Sequence, residues 1–181
     1  MAALPSLPPG ATLLDVFKAF PETSKPLIEF HEVLMRGPSP FSEMEREFIA
    51  AFVSRLNHCA YCHGVHTATA ERLGAAPGLA ARLADHIELE DAPEKLRPVL
   101  QYARKLTREP SSITTADANA IRAAGWNETA IYHTVAVTAL FNFMNRLVEG
   151  LGIELNPAYV DGAAQRLADR GYLPLLSMLR V

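Results

Sequence analysis

Helix start and stop signals recur along the whole chain, and no stretch sustains the apolar–polar alternation of a half-buried strand. That pattern leaves an all-α helical bundle as the expected fold. Thr12, with Asp15 three residues on, is placed to cap a short helix ending before Pro21, and a second helix is expected from Ser24 to Arg36, closed by Gly37. Pro38 and Pro40 stiffen the loop that follows. Ser42 and Glu45 form a capping-box pattern that opens a helix running to Asn57, with Met44, Phe48, Ile49, Phe52, Val53 and Leu56 as its apolar stripe. The next helix is expected from Cys59 to just before Gly74, and a short one over Pro77 to His86. Asp91 and Glu94, flanking Pro93, predict a helix start there and a helix to Thr107. Thr114 and Asp117 open another that stops at Gly125; Asn127 caps the longest, Glu128 to Glu149; Asn156 and Pro157 begin the last before Gly171.

With 181 residues and no long polar linker, the chain is expected to form one domain over 1–181. Its formal net charge of −3 and pI near 6.1 supply no basic excess for nucleic acid or an anionic membrane surface. A small molecule or another protein is the expected partner. Met1 to Gly10 lacks the layout of a signal peptide, and the apolar run Thr134 to Phe141 is too short to span a bilayer, so a cytoplasmic location is expected. The tail from Tyr172 carries Leu173, Leu175, Leu176, Met178 and Leu179, too many apolar groups for a free end. It should dock on its own core or on a neighbour.

Only two cysteines occur, Cys59 and Cys62, and a bridge between them closes no long loop. Such a pair is suited to catalysis or metal binding rather than to stapling a fold. They begin Cys-x-x-Cys-x-x-x-His, ending at His66, at the start of an expected helix. On a helix Cys59 and Cys62 are i and i+3, and Cys62 and His66 are i and i+4, so both sulfurs and the imidazole share a face. The free N–H groups of the first turn favour a thiolate. Lowering a thiol pKa from ~8.5 to ~6.5 raises the thiolate fraction at neutral pH roughly 25-fold, and the accompanying fall in nucleophilicity returns about eightfold. Activation alone is therefore weak. Positioning, and an acid for the leaving group, must supply the rest.

The spacing resembles that of the alkyl hydroperoxidase D-like branch of the carboxymuconolactone decarboxylase superfamily, and in particular its peroxidase-related members. Their pattern is a glutamate followed twelve residues later by Cys-x-x-Cys-x-x-x-His, matched here by Glu47, Cys59, Cys62 and His66. The segment Phe141 to Leu147 is similar to a later helix of the family, so the resemblance extends over roughly residues 27–155. It implies that Glu47 and His66 relay a proton for a cysteine pair that reduces a hydroperoxide and becomes a disulfide, with no metal or organic cofactor. A thiol or protein reductant and a homo-oligomer, trimer or hexamer, are implied with it. The best-known members carry His before the second cysteine, where this chain has Tyr61. Tyr61 and His63 are candidates to line the site.

Other readings share these residues. Glu43, Arg46 and Glu47 taken alone read as a solvated helix face; against this, Ala50, Ala51 and Ser54 beside Glu47 make a face of small residues on which another helix can pack. His58, Cys59, Cys62, His63 and His66 offer enough donors for zinc, though crowded on one segment. A thiol-disulfide reductase or adaptor for a protein or lipoyl partner would use the same pair, and a decarboxylase of the wider superfamily would not need it. His31, His86 and His133 read as surface or satisfied core positions; the Asn142, Asn145 and Glu149 stripe can face the cysteines, but at that spacing it reads first as a wet or intersubunit face.

Overall fold

The computed structural model describes residues 4–86 and 89–179; the last two residues of the tail lie outside these. Ten α-helices and one short 3₁₀ turn occur among the described residues, with no strand. In chain order the helices are α1 (Leu13–Ala19), α2 (Pro21–Arg36), α3 (Glu43–Leu56), α4 (Ala60–Arg72), α5 (Leu79–Asp85), α6 (Arg97–Arg108), α7 (Thr115–Ala123), α8 (Glu128–Gly150), α9 (Pro157–Arg170) and α10 (Pro174–Met178).

The centre is α3. Its capping box forms, with Glu45 N–H donating to Ser42 Oγ at 3.2 Å and Ser42 N–H to Glu45 Oε2 at 2.8 Å. Five consecutive residues, Ile49 to Val53, have no exposed surface, so the helix is buried on all sides rather than along one stripe. It packs against α4, α5, α6 and α8, and α4 is backed in turn by α9. The chain thereby buries the helix that carries Glu47 and lays the cysteine helix against it.

Two helix starts differ from expectation. α2 begins at Pro21, whose fixed φ suits the first helical position, and Ser24 is already inside it, returning its hydroxyl to the Phe20 carbonyl at 2.7 Å. α6 begins at Arg97. Pro93 instead nucleates a turn, Leu96 N–H donating to its carbonyl at 2.8 Å, and Pro98, which has no N–H, separates that turn from the regular helix. The tail docks on the chain's own core: Tyr172, Leu175 and Leu179 are buried, while Leu173 is exposed.

Candidate functional site

The cysteines sit where α3 hands over to α4. His58 N–H donates to the Arg55 carbonyl and Cys59 N–H to the Ser54 carbonyl, both at 3.0 Å, with His58 in the left-handed region at φ 57°. These are the two bonds of a Schellman turn, which satisfies the last carbonyls of α3 and reverses the chain within two residues. Cys59 then serves as N-cap of α4, its carbonyl accepting from His63 N–H at 3.0 Å. Both thiols are free and both are buried.

An amide network from α8 fixes this turn from outside. The Asn57 side chain donates to Asn145 Oδ1 at 2.9 Å and to Asn142 Oδ1 at 3.1 Å, and Asn145 donates to Ser54 Oγ at 2.9 Å. Asn145 is only 1% exposed, which corrects the wet-face reading for it; Asn142 is half-buried in the same network, and Glu149 is exposed.

On the other side of the pair lies a charged network. Glu47 has no exposed surface, and its carboxylate accepts from His66 Nδ1 at 2.6 Å, Arg36 at 2.7 Å and the Tyr172 hydroxyl at 2.8 Å. Burial pushes its pKa up, but His66, Arg36 and Tyr172 outweigh that and hold it at about 2. The solvated-face reading is therefore excluded for Glu47, and for Arg46, which donates to the Leu34 and Gly37 carbonyls from a buried position. With Glu47 ionised, His66 donates through Nδ1–H and keeps Nε2 free. Its ring stands edge-on to Phe141, with centroids 4.5 Å apart.

Tyr172 reaches Glu47 because the chain turns sharply at Gly171. Glu32 Oε2 accepts from the N–H groups of Tyr172, at 2.7 Å, and Leu173, at 3.2 Å. Gly171 has φ 67°, and a Cβ there would meet Glu32 Oε2 at 2.6 Å. Only glycine fits this turn.

Cys62 and His66 together face a cavity of about 70 Å³, lined otherwise mainly by apolar side chains of α1, α2, α8, α9 and the tail. Cys59 does not line it. The more accessible cysteine is thus Cys62, at 3% exposure against 0% for Cys59, opposite to what position at the helix start suggests; the Cys59 thiol is buried and meets Cys62 and the Glu149 carboxylate. The Cys59 thiol is pushed well above its ordinary range, first by its hydrogen bond to Cys62 and then by burial.

Tyr61 lines the cavity and stacks on Tyr159, with centroids 5.8 Å apart. His63 does not: its Nδ1 lies 3.0 Å from the Ala51 carbonyl of α3, where it helps join the two helices. His58 is exposed in the turn. Among the described residues no three His, Cys, Asp or Glu side chains converge as a metal site. Sequence reasoning missed His31, Arg36 and Tyr172, which come from outside the motif. His31 is buried in the cavity wall, its Nδ1 on the Leu27 carbonyl at 2.8 Å, and burial lowers its pKa to about 4, so it is neutral. Nothing in a lone histidine on α2 marks it as a neighbour of His66.

A helical bundle with a paired-thiol turn, a buried carboxylate and a histidine one helical turn beyond the second cysteine defines a small class of dithiol proteins. Residues 21–105 match the pattern of the carboxymuconolactone decarboxylase family. The chain is similar to an uncharacterized peroxidase-related protein from Silicibacter sp. TM1040, with 31% identity and a TM-score of 0.74 over 82% of this chain and 78% of that one. It is also similar to an alkylhydroperoxidase AhpD core protein, an uncharacterized peroxidase-related protein from Ralstonia eutropha JMP134, with 26% identity and a TM-score of 0.74 over 80% and 76%. No curated protein matches it significantly. The chain belongs to the carboxymuconolactone decarboxylase family, in its alkyl hydroperoxidase D-like branch.

Proposed function

We propose that the protein is a thiol peroxidase that reduces a hydroperoxide at Cys62, with Cys59 as resolving thiol and Glu47 and His66 as proton relay. The observation that carries this reading is the juxtaposition of Cys62 and His66 on one apolar cavity, with His66 fixed from behind by an ionised, fully buried Glu47. His66 Nε2 takes the proton of the Cys62 thiol, the thiolate attacks the terminal peroxide oxygen, an S–O bond forms as the O–O bond breaks, and the departing alkoxide takes that proton back from His66. Cys59 then attacks the sulfenic sulfur, an S–S bond forms and water leaves. In sum, one dithiol and one hydroperoxide give a disulfide, an alcohol and water. An external thiol or dithiol returns two electrons and two protons. Oxidising Cys62 removes the hydrogen bond that is the largest cause of the raised Cys59 pKa, which favours Cys59 as the second thiol to react.

One equivalent of hydroperoxide should convert both thiols into an intramolecular Cys59–Cys62 disulfide, read by mass spectrometry with and without reduction. Two unchanged thiols would overturn the reading. Faster oxidation by small disulfides than by any hydroperoxide would favour a thiol-disulfide reductase instead.

Assembly belongs to the same proposal. Phe20, Phe30, Val33, Tyr132 and Phe143, on or beside α2 and α8, are each 45% exposed or more, which supports a homo-oligomer that covers them. Light scattering at micromolar concentration should give a multiple of the 19.8 kDa chain mass, and a clean monomer would refute it.

A further inference from the structure

The cavity at Cys62 holds one cationic side chain whose partner the fold does not supply. Arg166, on α9, lines it, and its Nε is buried without a hydrogen-bond partner. Other arginines with a buried, unbonded Nε use their terminal nitrogens: Arg36 on Glu47, Arg97 on the Glu90 carbonyl, Arg104 on the Leu83 and His86 carbonyls. Arg166 makes no hydrogen bond or ion pair with any described residue. Its Nε is the buried atom; the terminal nitrogens of this half-buried side chain have no partner among the described residues and stay accessible, so they can meet a ligand. The cavity it lines is mostly apolar, with Leu13, Leu14, Phe17, Leu167 and Leu175 among its walls.

We infer that Arg166 is an anion-recognition residue, and that the hydroperoxide reduced at Cys62 is a compact aliphatic one carrying a carboxylate. This rests on the peroxidase reading for its chemistry but not for the binding site. The planar fork of a guanidinium matches a carboxylate with two parallel hydrogen bonds, and the apolar wall accepts the carbon chain between the two polar ends. Size narrows the choice. At about 70 Å³ the cavity has less than half the ~150 Å³ that admits benzene, so it excludes a bulky aromatic or a phosphate-bearing head and encloses only part of even a slim aliphatic chain. Glu47 does not oppose the anion, because Arg36 and His66 already pair with its carboxylate.

The test pairs an acid with its neutral counterpart on the whole protein. Reduction of 6-hydroperoxyhexanoate is compared with that of its methyl ester, and binding of redox-inert hexanoate with that of 1-hexanol, by calorimetry and by protection of Cys62 from alkylation. A charge-assisted contact predicts a kcat/KM for the acid roughly 10- to 100-fold above that of the ester, and a similar preference in binding. Arg166→Gln should bring both ratios toward one, and Arg166→Lys should restore part of each. Equal rates for acid and ester, with hexanoate bound no more tightly than hexanol, would overturn the carboxylate site and leave the peroxidase reading standing. If no hydroperoxide oxidises the pair while hexanoate still binds through Arg166, the peroxidase reading falls and the site stands.

Discussion

Two buried polar networks flank the cysteine pair, and they are built from different chemistry. On the Cys62 side, Glu47 joins Arg36, His66 and Tyr172, three residues from three separate elements, through an ionised carboxylate. On the Cys59 side, Asn57, Asn142, Asn145 and Ser54 are joined through amides and a hydroxyl, none of which titrates. The first network can hold or pass a proton; the second can only hold a shape. A dithiol site needs both, since one sulfur must be activated and the other must be kept within reach of it. The difference also separates their costs: an ion pair broken by halves leaves a buried charge, whereas a broken amide bond leaves a buried dipole.

The sharpest way to break the comparison is to remove the charged network's acid or base. Glu47→Gln and His66→Phe should each lower peroxide turnover by roughly 10²–10⁴-fold, and the double variant should be little worse than either, as for groups acting as a unit. They should differ in stability. Glu47→Gln removes the buried anion facing the Arg36 guanidinium, whose side chain is 7% exposed, and leaves it the half-exposed Glu43 as its only carboxylate among the described residues, which should cost about 3–5 kcal/mol, whereas His66→Phe leaves the Arg36 and Tyr172 bonds to Glu47 in place. Denaturant melts beside turnover separate the two effects. A Glu47→Gln variant with full turnover would reduce Glu47 to a structural anchor.

Within the site, acid should act on the charged network and on His31, and not on the amides. Glu47 is held at about 2 against an ordinary 4.5, so its contribution is complete above 4.5 and is lost as pH falls toward 2, where the unfolded chain takes the proton first. His31 is held at about 4 against 6.5, so stability also falls between 6.5 and 4, because the unfolded histidine protonates first. Each shift corresponds to ~3 kcal/mol at full extent. The His31→Asn variant should lose the upper part of this acid sensitivity. A stability flat from pH 7 to 4 in the native protein would contradict the burial of His31.

Breaking the amide network should cost less and reach turnover only indirectly. Asn145→Ala leaves the Ser54 hydroxyl without its donor and Asn57 with Asn142 alone, and should destabilise by about 1–3 kcal/mol, with an unchanged acid profile and turnover within about tenfold. A loss as large as that of His66→Phe would mean that the position of Cys59, not the proton, limits the reaction.

These networks also mark what could be read from the sequence. Caps such as Ser42 with Glu45, and Asn127, are local signals, and the helices they open stand where they predict, with Asn127 Oδ1 accepting from Ala130 N–H at 2.9 Å. The Glu47, Cys59, Cys62 and His66 spacing was legible because all four lie on two consecutive helices. Arg36 and Tyr172 were not, since they meet Glu47 across 11 and 125 residues of sequence and no periodicity encodes that. Pro93 misled for a related reason: its preference for a first turn is satisfied by a turn that does not continue. The asparagines of α8 were visible as a polar stripe, but whether such a stripe meets water or another helix is decided by packing.

The smallest expected effect lies between the two networks, at His58. It is a non-glycine residue at φ 57°, exposed, and the left-handed conformation costs an L-residue roughly 1–2 kcal/mol. Glycine removes that cost but gains freedom in the unfolded chain, which returns about 0.5–1 kcal/mol. His58→Gly should therefore stabilise by a net ~0.5–1 kcal/mol, seen as a higher denaturant midpoint with an unchanged slope. The backbone bonds that define the turn, His58 to Arg55 and Cys59 to Ser54, do not involve the His58 side chain, so turnover should stay the same. If stability rises while disulfide closure slows, the rigidity of the turn is what keeps Cys59 against Cys62, and the shape-holding role assigned to the amide network extends to the backbone. If stability falls instead, the imidazole makes a contact that outweighs its strained backbone, and the turn is held by more than its Schellman bonds.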